Sequence, residues 1–150
     1  MKGKLMLKAT GLIIIVVALC TFGAPTIAAD VAVSGAWFRA LPSGQPAGGY
    51  FTMKNSGSAP VQLVTAESAA CGMLMLHQTV SNNGTSRMED VKNVSVPADG
   101  TVSFEPGGYH LMCMNPGSAM TPGKSVPVTL LFSDGSKVRV DFAVKNAAGK

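Results

Sequence analysis

Val128-Thr129-Leu130-Leu131-Phe132 and Val138-Arg139-Val140-Asp141-Phe142 flank the pair Asp134-Gly135, and this stretch decides the fold. Two short runs rich in β-branched and aromatic residues around an Asp-Gly pair read as a β-hairpin. The same rhythm continues on the N-terminal side. Candidate strands are Val31–Ala36, Gly49–Asn55, Val61–Ala66, Met73–Val80, Arg87–Val91, Val102–Glu105, Tyr109–Met114, Val126–Phe132 and Lys137–Val144. Turn signals separate them, among them Pro42-Ser43-Gly44, Asn82-Asn83-Gly84 and Pro106-Gly107-Gly108. No stretch sustains a helical period. Eight or nine short strands without a helix predict a single all-β domain, a sandwich or a small barrel.

The first residues read differently. Lys2, Lys4 and Lys8 form a basic head, Ala9 to Phe22 an apolar run, and Ala28-Ala29 a small-residue exit before Asp30. Those three parts make a secretory signal. The apolar run is too short for the roughly 20 residues that span a bilayer, so no membrane span is expected once the leader is removed. The expected division is a cleaved signal peptide at 1–29, cut after Ala28 or Ala29, and one domain at 30–150. Cys20 offers lipid attachment as an alternative, but Leu19 before it is not the small residue such sites want. The leader holds three of the twelve basic residues and none of the eight acidic ones. The remaining chain is therefore close to neutral, with no basic stripe for nucleic acid.

Histidine and methionine carry the chemistry. Only His77 and His110 occur, and Met73, Met75, Met88, Met112 and Met114 lie near them in sequence. Side chains alternate along a strand, so His110, Met112 and Met114 share one face and Leu111 and Cys113 the other. Likewise Met73, Met75 and His77 oppose Leu74 and Leu76. A two-residue turn at Asn83-Gly84 pairs Thr79 with Met88, leaving Met88 diagonal to His77; a four-residue loop pairs His77 with Met88 directly. Either register puts Met88 on the His77 face. Local geometry does not show that the His77–Met88 pair meets the His110–Met112 pair.

If they meet, two imidazoles and two thioethers form a soft, neutral ligand set suited to Cu(I). Such a set leaves no open, water-bearing position, which argues against hydrolytic catalysis and for a protein that is not an enzyme. The plainer alternative is that the methionines fill a core and the histidines are structural.

His77, ten intervening residues, Met88, twenty-one more and then His110-Leu111-Met112 resemble the signature of the periplasmic copper chaperone family, PCu(A)C. The resemblance runs from about Val33 to Val144. It includes Ala36-Trp37-Phe38-Arg39, Gly49-Tyr50-Phe51-Thr52-Met53-Lys54-Asn55 and Pro106-Gly107-Gly108-Tyr109. It implies a cupredoxin-like β-sandwich that holds one Cu(I) at a surface site through His77, Met88, His110 and Met112. It also implies a periplasmic monomer that supplies a copper-accepting protein, such as a haem-copper oxidase subunit or an assembly factor. Two departures stand out. Gln78 occupies a position where the family usually has Glu, and the C-terminus lacks the His- and Met-rich tail of many members.

Cys71 and Cys113 are not typical of the family. In an oxidising compartment an even pair suggests a disulfide, the alternative being two buried thiols. Alternation turns Cys113 away from His110 and Met112, which weighs against a blue-copper electron carrier. A thiol reductase is disfavoured by the lack of a Cys-X-X-Cys motif. A purely structural or adhesive exported sandwich remains the other rival.

Overall fold

The computed structural model describes residues 30–150; the predicted leader, its cleavage positions and Cys20 lie outside that range. Ten strands follow one another: β1 (Val31–Arg39), β2 (Ala47–Asn55), β3 (Val61–Glu67), β4 (Cys71–Asn82) and β5 (Thr85–Asp90). Then come β6 (Val94–Val96), β7 (Thr101–Phe104), β8 (Tyr109–Pro116), β9 (Ser125–Phe132) and β10 (Lys137–Lys145). A single turn of 3-10 helix at Pro42–Gly44 occupies the predicted first turn, and no α-helix occurs among the described residues. The strand missed by sequence reading is β6. Three residues give too little alternation to register as a pattern.

The strands form one continuous hydrogen-bonded ladder in the order β5-β4-β8-β7-β2-β1-β10-β9-β3-β6, with β8 also reaching β2. The ladder folds over, so that β3 packs against β4 although the two are far apart along it. Sandwich is thus the right description. A bulge in β1 helps turn the corner: its register against β2 shifts between Ser34 and Trp37, with Gly35 at φ +61°. Beyond the bulge, Trp37–Arg39 run parallel to Ala143–Lys145 of β10. A glycine suits that left-handed position, and bulges commonly serve to bend a strand.

Between the layers lies an aromatic core. Phe51 stacks on Phe104 at 4.4 Å and meets Phe142 edge-on at 5.5 Å, while Phe38 lies 5.0 Å from Phe142. Leu63, Val96, Val126, Val128 and Leu130 close the core from the other layer, each essentially inaccessible to solvent. Leu74, Leu76, Leu111 and Cys113 are buried too, as alternation on β4 and β8 requires.

Two features secure the sandwich, one between its layers and one within a layer. Buried Asn55, at the end of β2, donates from Nδ2 to the carbonyls of Ala59 (2.8 Å), Pro97 (3.1 Å) and Val96 (3.3 Å). Its Oδ1 accepts from the Gly57 N–H at 2.9 Å. The second is a disulfide between Cys71 and Cys113, with Cα atoms 5.3 Å apart. The bonded cysteines are not register partners, since Leu74 faces Cys113 and Cys71 faces Pro116. The bond therefore ties the start of β4 to the core side of β8.

Asn55→Ala strands several buried polar groups at once and should cost about 2–3 kcal/mol in urea unfolding. An exposed control, Asn82→Ala, should cost less than about 0.5 kcal/mol. Equal losses in the two variants would remove the role assigned to Asn55. Reducing the disulfide opens a loop of sequence separation 42. It should lower stability by about 2–4 kcal/mol, read as a lower unfolding midpoint in reductant that Cys71→Ser/Cys113→Ser reproduces.

Candidate metal centre

The hairpin joining β4 and β5 turns at Asn83-Gly84, with φ +48° and +81° respectively. Two successive positive φ values favour an Asn-Gly pair and match the twist of the flanking strands. The turn selects the shorter of the two registers: Thr79 faces Met88, and His77 faces Asp90. Met88 thus sits diagonal to His77 and is 60% exposed.

On the other side of β4 lies β8, antiparallel, with His77 opposite His110, Met75 opposite Met112 and Met73 opposite Met114. The two imidazoles meet edge to face with centroids 5.7 Å apart. Three strands therefore place all four sequence-predicted residues on one face. Met88, His110 and Met112 line an open cleft of about 330 Å³ together with Thr79, Gly48, Tyr50 and Arg39. His77 does not line this cleft; it borders it through its contact with His110.

The turn after β7 prepares His110. Glu105-Pro106-Gly107-Gly108 closes with the Gly108 N–H donating to the Glu105 carbonyl at 3.0 Å, and Gly107 adopts φ +85°. Proline followed by a glycine at positive φ is the type II pattern. Its Gly108 carbonyl accepts from the Thr79 N–H at 3.0 Å and from His110 Nδ1 at 3.1 Å. A carbonyl only accepts, so the proton of a neutral His110 sits on Nδ1 and the lone pair on Nε2. That Nε2 is buried and has no partner. Burial holds the His110 imidazole below the usual histidine range; the Gly108 bond opposes this and the neighbouring His77 reinforces it. Burial therefore favours the neutral ring, whose Nε2 is left without a hydrogen-bond partner.

His77 is less constrained. Its Nε2 lies 2.8 Å from Asp90 Oδ1, but the carboxylate is out of line for a hydrogen bond, and neither ring nitrogen has a hydrogen-bond partner. Gln78 pairs with Glu89 and Tyr109 and, by alternation, faces away from the histidines. Its difference from the family's usual Glu is felt on the opposite side of β4.

Arg39 is the contribution that sequence reading did not single out. Its guanidinium lies 5.5 Å from the centroids of both Trp37 and Tyr50, which themselves pack 4.9 Å apart. Gly48, facing both Arg39 and Met112, leaves the floor of the cleft open. A Cβ there would lie 2.6 Å from the Tyr50 hydroxyl. The i, i+2 spacing of Trp37 and Arg39 was the available signal, and it needed Tyr50 from the next strand to acquire meaning.

No three-residue cluster of His, Cys, Asp and Glu suited to a metal occurs among the described residues. Met88 and Met112 add two thioether sulfurs to the two imidazoles at this face. Both described cysteines are consumed in the disulfide, so no thiolate from them is available for a blue-copper centre.

A family model described as "LpqE-like" matches residues 31–144. "Putative lipoprotein Lxx21020" of Leifsonia xyli subsp. xyli is 40% identical over 120 residues, covering 79% of this chain and 72% of that protein. "Solution structure of CuI-DR1885 from Deinococcus Radiodurans" superposes with a TM-score of 0.62 at 28% identity, covering 83% of this chain and 81% of the other. "Copper-bound PCuAC domain from PmoF2" superposes with a TM-score of 0.66, covering 78% and 93%; at 23% identity that likeness is one of fold. With the family match spanning the whole sandwich from β1 into β10, the chain belongs to the LpqE-like family of PCu(A)C proteins.

Proposed function

We propose that this protein is an exported copper carrier that holds one Cu(I) between His77, Met88, His110 and Met112 and passes it to a copper-accepting protein. The observation that carries the reading is the buried, unpartnered Nε2 of His110, whose proton is fixed on the other nitrogen by Gly108. It borders a cleft shared with two thioethers, and a second imidazole lies against it. The likeness to a structure titled as the Cu(I) form of DR1885 supports the choice of metal.

Thioether sulfur and neutral imidazole match a soft monovalent ion, whereas zinc prefers thiolate, imidazole or carboxylate. The ligand set carries no charge, so the bound ion keeps its own and remains attractive to an acceptor's anionic ligands. Met88, the exposed member, is the natural first ligand to yield as an incoming side chain replaces these four one at a time. A carrier role of this kind involves no bond chemistry on a substrate. The recipient class is a haem-copper oxidase subunit or an assembly factor.

Location follows the same reading. A basic head, apolar run and small-residue exit at 1–29 support export to the periplasm. The lipoprotein name of the Leifsonia relative also supports export. Leu19 before Cys20 favours cleavage after Ala28 or Ala29 over lipid attachment. Among the described residues no helix is long and apolar enough to cross a membrane.

His110→Ala and Met112→Ala should each weaken Cu(I) binding by about 100-fold or more, beyond the 10- to 100-fold usual for outer partners of a metal site. Competition against a chromophoric chelator under reducing conditions reads the affinity, and circular dichroism checks the fold. Unchanged affinity in both variants rejects the site. Met114→Ala should cost much less at the tight site; an equal loss means the ligand set is wrongly drawn. Added Cu(II) should give no intense thiolate-to-copper absorption, since a strong blue band would restore the redox alternative.

A further inference from the structure

The ladder between β4 and β8 carries two different faces. Inward, Leu74, Leu76, Leu111 and Cys113 satisfy the core. Outward, Met73 opposes Met114 and Met75 opposes Met112, so a two-by-two grid of thioethers lies beside the facing histidines. The core does not require these residues. Met73 is 58% exposed, and Met75 and Met114 are half-buried. Outer positions of a half-solvated sheet ordinarily go to polar residues. Four methionines in four such positions need a reason other than packing.

Geometry supplies one. Directly opposed residues have Cβ atoms about 4.5–5.5 Å apart, and the next pair on the same face lies about 6.7 Å along the strand. Three sulfurs around one soft ion, with metal–sulfur bonds near 2.3 Å, sit roughly 4 Å from one another. Methionine has three rotatable bonds beyond the backbone and adjusts over such gaps without backbone movement. Neutral thioethers also need no deprotonation to bind.

We propose that Met73, Met75 and Met114 form a second, weaker site for a soft monovalent cation, Cu(I) or Ag(I), one step along the ladder from the His77–His110 pair. Met112 stands between the two sites. Binding there involves no change of oxidation state and no proton, only exchange of water for sulfur. The site does not depend on the two-histidine reading, because none of its three ligands belongs to that set.

Ag(I) is the probe, with Cu(I) under reducing conditions as the second arm; native mass spectrometry reads stoichiometry, and NMR of the methionine ε-methyl groups reads location. Wild-type protein should take a tight first equivalent and a weaker second one that shifts the methyl signals of Met73, Met75 and Met114. The triple variant Met73→Leu/Met75→Leu/Met114→Leu keeps side-chain volume and should fold normally. It should keep the first equivalent and lose the second. A wild-type titration that ends at one equivalent overturns the proposal, as does a second equivalent that survives in the triple variant. His77→Ala/His110→Ala separates the two readings. Loss of the tight equivalent with the three methyl shifts retained supports the thioether site, while loss of all binding overturns it and leaves the first site standing.

Discussion

The register of β4 against β8 is the constraint on which everything else rests. Because side chains alternate, a slip of β4 by one residue would turn Leu74 and Leu76 outward and bury Met73, Met75 and His77, parting them from Met112 and His110 on β8. Both ends of the pairing are secured against that slip. At one end the Gly108 carbonyl accepts from β4 through Thr79 and from β8 through His110. At the other, Cys71 and Cys113 are covalently joined. Fixing this single alignment places two imidazoles in contact and lays the thioethers in rows beside them.

The proposed site divides into a rigid and a yielding part. His110 and Met112 sit on a strand with neighbours on both sides, and His110 is held further by its turn. Met88 stands on β5, which among the described residues pairs with β4 alone and is exposed along its whole length. On the proposed reading, preorganised imidazole nitrogen would offset the entropic cost of capturing an ion, and an exposed thioether would keep the door open for exchange. A carrier needs both, since affinity without access would make a store.

Much of this was legible in the sequence. Alternation sorted β4 and β8 into inner and outer faces, and Asn83-Gly84 limited Met88 to positions near His77 whichever loop formed. The step beyond reach was the pairing of two segments thirty-odd residues apart. Nothing local tells Met73–Val80 to lie against Tyr109–Met114, and the resemblance in spacing stood in for that knowledge. Three residues of β6 were too few to show a period. The disulfide was suggested by an even count and by the place of each cysteine near a histidine, but left open against two buried thiols, and its partners are offset from the ladder register. The stack of Arg39 on Trp37 and Tyr50 required two strands to be seen together.

Among the described residues the ten-strand ladder does not close on itself by hydrogen bonds, so it has two rims, β5 and β6. Each rim offers free backbone amides and carbonyls on which another chain could polymerise. The β6 rim is only three residues long. The β5 rim carries Arg87, Glu89 and Asp90 within six residues, all facing water. Like the gatekeepers of natural sheets, these charges make strand addition costly by demanding that they be dehydrated or confronted by their own kind. The hairpin that presents Met88 to solvent is thereby also protected from fibril growth.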